Sequence, residues 1–356
     1  TMSSTPSSNP WVPEMLQIGV VGYGTGGQHF HTPFIAAAEG CTLAGIVARA
    51  EATVAKAKTD WPGTPIYPSL TAMIEANVCD AVTITTPPQT RRALAFEAVE
   101  AGLHVVADKP FAPDYAGALE LDAAAKAKGV TLGVFQNRRL DADIQTLKKI
   151  MEDDRLGRIW RIHNRMDFDD PATLVPGPEG GMLRDIGSHL VDQMIYLNGP
   201  VARVSGHLDF IDLPDGQTDA SFFIVMYHEN GVLSEISASK LNHYVLRELR
   251  AYGDKGTFVS HSTDVQAQAI FAGMRPVDDP VAWGFEPENN WATLYDTDGS
   301  NKVPSEQGRY HDYYTAFAAA VRDGTRPPVT AEEGARTIAV LDAARESAAE
   351  GKTITL

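Results

Sequence analysis

Two kinds of block alternate over the first third of the chain. Short, nearly continuous apolar runs at 16–21, 42–48, 64–67, 81–85, 103–107 and 131–135 read as buried strands. Between them, apolar residues recur at helical spacing over 27–38, 51–58, 69–76, 90–101 and 113–127. Strands without a polar face, separated by helices, predict a parallel sheet covered on both sides.

After Phe135 the pattern changes. A helix at 140–153 precedes a strand at 159–168, a Pro/Gly-rich loop at 169–181 and a helix at 182–197. Alternating runs follow at 201–210, 220–227, 232–239, 245–252 and 257–260, some joined by short turns such as Glu229-Asn230-Gly231. Period-two runs on hairpin turns predict a largely antiparallel sheet with helices on one face. The stretch 261–306 reads as irregular, and two helices at 307–323 and 330–349 close the chain. The predicted class is α/β. A tail at 1–12 is expected to be disordered. A dinucleotide-binding domain at 13–136 and an α+β domain at 137–356 follow, with the closing helices packing back on the first domain.

The first strand breaks into Gly22-x-Gly24-x-x-Gly27, and a helix follows. In that context the glycines serve a dinucleotide: Gly22 for the tight turn, Gly24 for close approach of a pyrophosphate, Gly27 for helix–strand packing. The helix start then offers free N–H groups to phosphate. In such sheets ligands lie beyond the carboxyl ends of the strands. The loops Gly22–Gln28, Thr85–Pro88 and Asp108–Pro110 therefore point into one crevice. Lys109, directly after a buried strand, is a candidate site residue. NAD requires an acid at the end of the second strand, about 20 residues past the glycines. Arg49 stands there instead, and a guanidinium suits a 2′-phosphate. This favours NADP, with NAD as the alternative.

Charge narrows the partners. The formal net charge is -16, which argues against nucleic acid and anionic membranes. Thr1–Pro10 has neither the basic nor the apolar part of a secretory signal, and a cytoplasmic location is expected. Cys41 and Cys79 read as buried small residues.

The second informative stretch is Gly180 to Gln193. On a helical wheel Asp185, His189 and Asp192 share a sector about 60° wide beside the apolar face. Asp185 and His189 are four apart, so their side chains can meet. A carboxylate beside an imidazole tunes a base suited to taking a hydroxyl proton. A helix-stabilising pair explains the spacing equally well. No His or Cys nearby adds metal spacing, and no metal is expected.

These pieces together resemble the glucose–fructose oxidoreductase / inositol dehydrogenase / MocA-like family over nearly the whole chain. The resemblance rests on Gly-Tyr-Gly at 22–24 with Phe30-His31-x-Pro33, on Thr86-Pro87, and on the segment from Ala101 through Asp108-Lys109-Pro110. Gln136-Asn137-Arg138-Arg139, the Asp185–His189 helix, and the closing Gly308-x-Tyr310-x-x-Tyr313-Tyr314 complete it. Within the family the chain looks most like the NADP-using sugar and polyol members, scyllo-inositol dehydrogenases among them. The resemblance implies that Gly22, Tyr23, Gly24, Thr25, Gly27, Arg49, Thr86, Pro87 and Lys109 bind the cofactor. It implies that Lys109 bridges ribose and substrate, that His189 is the general acid/base, and that Asp185 orients it or binds a neighbouring hydroxyl. It further implies a cis Lys109–Pro110 bond. Arg138, Arg139, Asn164, Tyr310 and Tyr314 are candidate substrate residues. Two departures stand out: Asp108 replaces the usual Glu, and Pro88 and Arg91 replace an Asn and a His.

The expected activity is hydride transfer between NADP and a CH–OH or C=O group of a sugar, cyclitol or related polyol, in a homodimer or homotetramer. Two alternatives remain open: a non-catalytic NADP-binding regulator, and a reductase of a dihydrodiol, imine or bilin-like substrate.

Overall fold

A computed structural model of the chain describes residues 14–177, 180–261 and 264–356. The tail expected at 1–12 lies outside them. In the first part six strands form one parallel sheet: β1 (Leu16–Val21), β2 (Cys41–Val47), β3 (Ile66–Tyr67), β4 (Ala81–Ile84), β5 (His104–Asp108) and β6 (Leu132–Phe135). The spatial order is β3-β2-β1-β4-β5-β6, so the order reverses between β1 and β4. Helices α1 (Thr32–Ala37), α2 (Glu51–Asp60), α3 (Leu70–Glu75), α4 (Pro88–Glu100) and α5 (Tyr115–Lys128) connect the strands. The apolar runs are buried as the pattern requires: Ile18, Val82, Ile84, Val105 and Val106 are fully enclosed. Asp114 caps α5 by accepting from the Gly117 N–H, and Gly129 ends it in the left-handed conformation.

The second part begins with α6 (Ala142–Glu152) and β7 (Ile159–Asp167), and continues through α7 (Ser188–Asn198) to β8 (Val201–Leu213), β9 (Gly216–His228), β10 (Leu233–Ser239), β11 (Arg247–Gly253) and β12 (Thr257–Ser260). Then come α8 (Val265–Phe271), β13 (Ala292–Asp296), β14 (Gly299–Val303), α9 (His311–Asp323), α10 (Ala331–Glu350) and β15 (Ile354–Thr355). The nine strands of this sheet run in the order β14-β13-β12-β11-β7-β10-β9-β8-β15. All its pairings are antiparallel except β7 with β10. On β9 Phe222, Ile224 and Met226 point into the core while Phe223 faces out, which is the period of two in direct view.

Two expectations need correction. The stretch 261–306 is not wholly irregular, because it holds α8 and the hairpin β13–β14 that extends the sheet edge. The strand β14, Gly-Ser-Asn-Lys-Val, has little strand propensity and lies exposed, so no apolar alternation marks it. The helix expected at 182–197 begins with a π-helical stretch, Leu183–Gly187, before α7.

One helix joins the two cores. Ala331, Ala335 and Ile338 of α10 pack into the first, and Val340, Leu341 and Ala344 into the second. Its start is fixed by a capping box between Thr330 and Glu333, a device worth about 1 kcal/mol. Tyr310, Tyr313, Tyr314 and Phe317 around α9 also belong to the first core.

Candidate active site

A cavity of about 1270 Å3 opens where the parallel strands end. Thr25 and Gly26 after β1, Pro87 and Pro88 after β4, and Asp108 and Lys109 after β5 line one wall. Asp185, His189, Lys240 and Arg247 line the wall opposite. The position is the reversal point between β1 and β4, where ligands of open α/β sheets bind.

The glycine loop is fixed by sterics. Gly22 adopts φ 107°, a conformation closed to most side chains. A Cβ on Gly27 would stand 2.1 Å from the Gly22 carbonyl oxygen, so this residue seals helix to strand. A Cβ on Gly24, by contrast, would meet nothing within 4 Å. The backbone at Gly24 thus faces open space beside the cavity, and a pyrophosphate fits against it. From Gly26 to His31 the chain is π-helical, then continues as α1.

Asp108 lines the cavity but is tied to its neighbours. It accepts from the Thr85 hydroxyl (3.0 Å), contacts His31 Nε2 (3.3 Å) and receives the N–H of Lys109 (3.0 Å). Burial pushes its carboxyl up, but His31, Arg91 and Lys109 outweigh that and hold it well below the usual range. Arg91 ties the two loops together, donating to the carbonyls of Thr86 (2.7 Å) and Lys109 (2.9 Å). The Lys109–Pro110 bond is cis.

Lys109 Nζ crosses to the other wall. It donates to the Asp185 carbonyl (2.7 Å) and lies 3.4 Å from Asp185 Oδ1. Lys240 Nζ approaches Asp185 Oδ2 at 3.6 Å. Burial lowers the Lys109 ammonium, while Asp185 and Asp108 raise it in part. Burial raises the Asp185 carboxyl, yet Lys109 and Lys240 bring it below its ordinary value. His189 is buried among these groups with its Nδ1 unpartnered. Burial first, then Lys109 and Arg138, lower its pKa well below the usual imidazole value, so it is neutral at pH 7.

The expected Asp185–His189 pairing is not made. Asp185 is engaged by the two lysines, and no hydrogen bond joins it to His189 among the described residues. The π-helical stretch ending at Gly187 is the reason: its extra residue changes the rotation that an unbroken α-helix would give an i,i+4 pair. Asp192, expected beside them, turns away to hold Arg139 in two bonds of 2.7 Å.

Other candidates are placed elsewhere. Tyr23 is buried against Ile46 and Ala57, its hydroxyl donating to Asp60 (2.8 Å). Asn164 donates to Gln193 (2.8 Å) and does not line the cavity. Tyr310 is fully buried with its hydroxyl on Asp141, and Tyr314 bridges His31 and Thr83 in the core. Arg139 serves the Asp192–Glu333 network. Arg138 does line the cavity, paired with both oxygens of Asp264 at 3.0 and 2.9 Å. Arg49 lies exposed just past the end of β2, and Thr86 sits at the mouth of the β4 loop. In each core placement an aromatic or amide group finds a buried partner from a distant element, which spacing along the chain does not display.

Lys240, Arg247, Asp264 and Phe271 line the cavity but escaped the sequence reading. For Lys240 a signal is present: it follows a strand directly, as Lys109 does, although this strand is buried on alternate positions only. Asp264 and Phe271 carry no such mark.

Residues 16–136 match the model of an oxidoreductase family with an NAD-binding Rossmann fold, and 144–259 match the GFO/IDH/MocA C-terminal domain. The oxidoreductase YdgJ of Escherichia coli is 31% identical over 96% of this chain and 99% of its own. The scyllo-inositol 2-dehydrogenase (NADP(+)) IolW of Bacillus subtilis is 29% identical over 96% of both chains. The solved structure of the oxidoreductase yvaA from Bacillus subtilis superposes with a TM-score of 0.88, covering 96% of this chain and 99% of its own at 27% identity. The matched models cover the parallel sheet and the second sheet as far as β12, and carry the glycine loop, Lys109 and His189 within them; on that ground the chain belongs to the GFO/IDH/MocA family of NAD(P)-dependent oxidoreductases.

Proposed function

We propose that this oxidoreductase moves a hydride between NADP and a CH–OH or C=O group of a sugar, cyclitol or related polyol. The observation that carries the proposal is the convergence of Lys109, Asp185 and His189 on the cavity that begins at the glycine loop. The sugar and cyclitol class is supported by relatives named scyllo-inositol 2-dehydrogenase (NADP(+)) and, at 25% identity, D-apiose dehydrogenase.

Gly22, Gly24, Thr25, Gly27, Thr86 and Pro87 would hold the dinucleotide, with Arg49 toward a 2′-phosphate. When bound, the cofactor accepts or supplies the hydride. His189, kept neutral by burial and by the neighbouring cations, takes the hydroxyl proton in the oxidising direction and returns it in the reducing one. Lys109 donates hydrogen bonds to the reacting oxygen, and its ammonium stabilises negative charge developing there. Asp185, held ionised by Lys109 and Lys240, accepts from an adjacent substrate hydroxyl.

A second copy of the chain would cover the outer sheet face, where Trp160, Phe223 and Tyr295 are all about half exposed. Sedimentation should then give a dimer or tetramer. The functional test is turnover of NADP and NAD against a panel of inositols, aldoses and alditols. Tight cofactor binding with no turnover of any polyol would overturn the proposal.

A further inference from the structure

The cavity has the opposite sign to the molecule. The chain carries 46 acidic side chains against 30 lysines and arginines. Among the described residues, six of those cations and four aspartates line this one cavity. At long range the surface repels anions, so a positive interior reflects local construction.

The imbalance concentrates at one carboxylate. Asp185 stands between two ammoniums, Lys109 at 3.4 Å and Lys240 at 3.6 Å, and can neutralise only one. Both lysine side chains are just 12% exposed, so water screens the surplus charge poorly. Among the described residues the Lys240 ammonium has one further partner, the neutral hydroxyl of Thr173 at 2.9 Å. The field is felt nearby: burial and then Lys109 and Arg138 depress His189. A buried surplus cation is costly unless an anion joins it. The glycine loop, which would take the cofactor pyrophosphate, is on the opposite wall.

We propose that Lys240 binds an oxyanion carried by the substrate, so that the preferred polyol is an acid or a phosphate ester rather than a neutral sugar. This rests on the polyol oxidoreductase reading above and narrows its substrate class. Lys240 reaches the substrate beyond Asp185, placing the anionic group away from the carbon that reacts at Lys109 and His189. A six-carbon polyol with a terminal carboxylate or phosphate has the length and donors to span these groups.

The test uses the full chain loaded with NADP. Binding of D-gluconate, glucitol 6-phosphate and neutral D-glucitol is measured by calorimetry, alongside turnover of each. At least one anionic polyol should bind ten times or more tighter than glucitol. Which one does so identifies carboxylate or phosphate. Lys240→Met should reduce that preference to within about threefold, and Lys240→Arg should retain most of it, with NADP affinity as the control for folding. Equal binding of the charged and neutral polyols in the parent protein would overturn the proposal, as would a preference untouched by Lys240→Met. A Lys240-dependent preference without turnover would uphold the anion site while sinking the polyol oxidoreductase reading.

Discussion

The two walls of the cavity are built on different principles. The wall formed by the loops after β1, β4 and β5 is specified by the backbone: a glycine at φ 107°, another with no room for a Cβ, and lysine and proline at strand ends. The facing wall is specified by side chains that find one another across long stretches of chain. Arg138 meets Asp264, and Asp185 meets Lys109 and Lys240. The first wall is a local property of short segments. The second exists only once the whole chain has folded.

The comparison breaks first at the groups that cross between the walls. Lys109→Ala and His189→Ala should each lower kcat/KM on any polyol substrate by about 100-fold or more, the usual scale for a positioned acid–base group. Unchanged rates in both variants, measured with saturating NADP, would dissolve the link between the walls. A different contrast sharpens the backbone wall. Gly27→Ala drives a methyl against the Gly22 carbonyl and should cost about 2–3 kcal/mol of stability in urea unfolding. Gly24→Ala meets no protein atom and should leave stability within about 1 kcal/mol while weakening NADP binding. Equal losses of stability in the two would mean that the open space at Gly24 is not held for a ligand.

That division explains what could be read from the sequence. Strand–glycine–helix, lysine after a strand, and alternating apolar runs are patterns within ten residues or so, and the fold and the backbone wall followed from them. Tyr310 and Asn164 are substrate candidates on the sequence, where a polar side chain looks the same whether it faces a cavity or a buried partner. In the fold their partners are Asp141 and Gln193, reached across 169 and 29 positions. The Asp185–His189 pairing failed through a π-helical residue that no composition rule announces. Lys240 carries a local mark, a lysine directly after a strand, but its strand belongs to the mostly antiparallel sheet, where strand ends do not converge on a ligand crevice as a rule.

Two buried histidines extend the comparison to pH. His189 faces the cavity, whereas His311 is packed against Phe34 in the core with its Nδ1 unpartnered. Burial and then Arg309 bring His311 down to about 4. The unfolded chain takes up that proton near pH 6.5 and the fold does not, so its contribution to stability is complete above pH 6.5 and is lost as pH falls toward 4. Asp143, pushed up to about 7 by burial and by Asp141, works the other way, its contribution being lost as pH rises through 7. The variant His311→Gln separates the two. Between pH 7 and 5 the parent should lose about 2 kcal/mol more than the variant in urea unfolding. Parallel pH profiles would show that His311 protonates freely in the fold.

The smallest expected effect tests the backbone wall at its outer edge. Arg49 is exposed just past the end of β2, and the acid that would hold a ribose 2′-hydroxyl is missing from the same place. A guanidinium there can meet a 2′-phosphate with paired charge-assisted hydrogen bonds, whereas Asp would repel the phosphate and accept from a hydroxyl. Arg49→Asp should therefore move the NADP-to-NAD affinity ratio toward NAD by tenfold or more, about 1.4 kcal/mol. Because Arg49 touches neither Lys109 nor His189, turnover at saturating cofactor should change far less than affinity. If the ratio stays fixed, the 2′-phosphate is read elsewhere or is not read at all. If turnover falls with affinity, the two walls are not as separable as their construction implies.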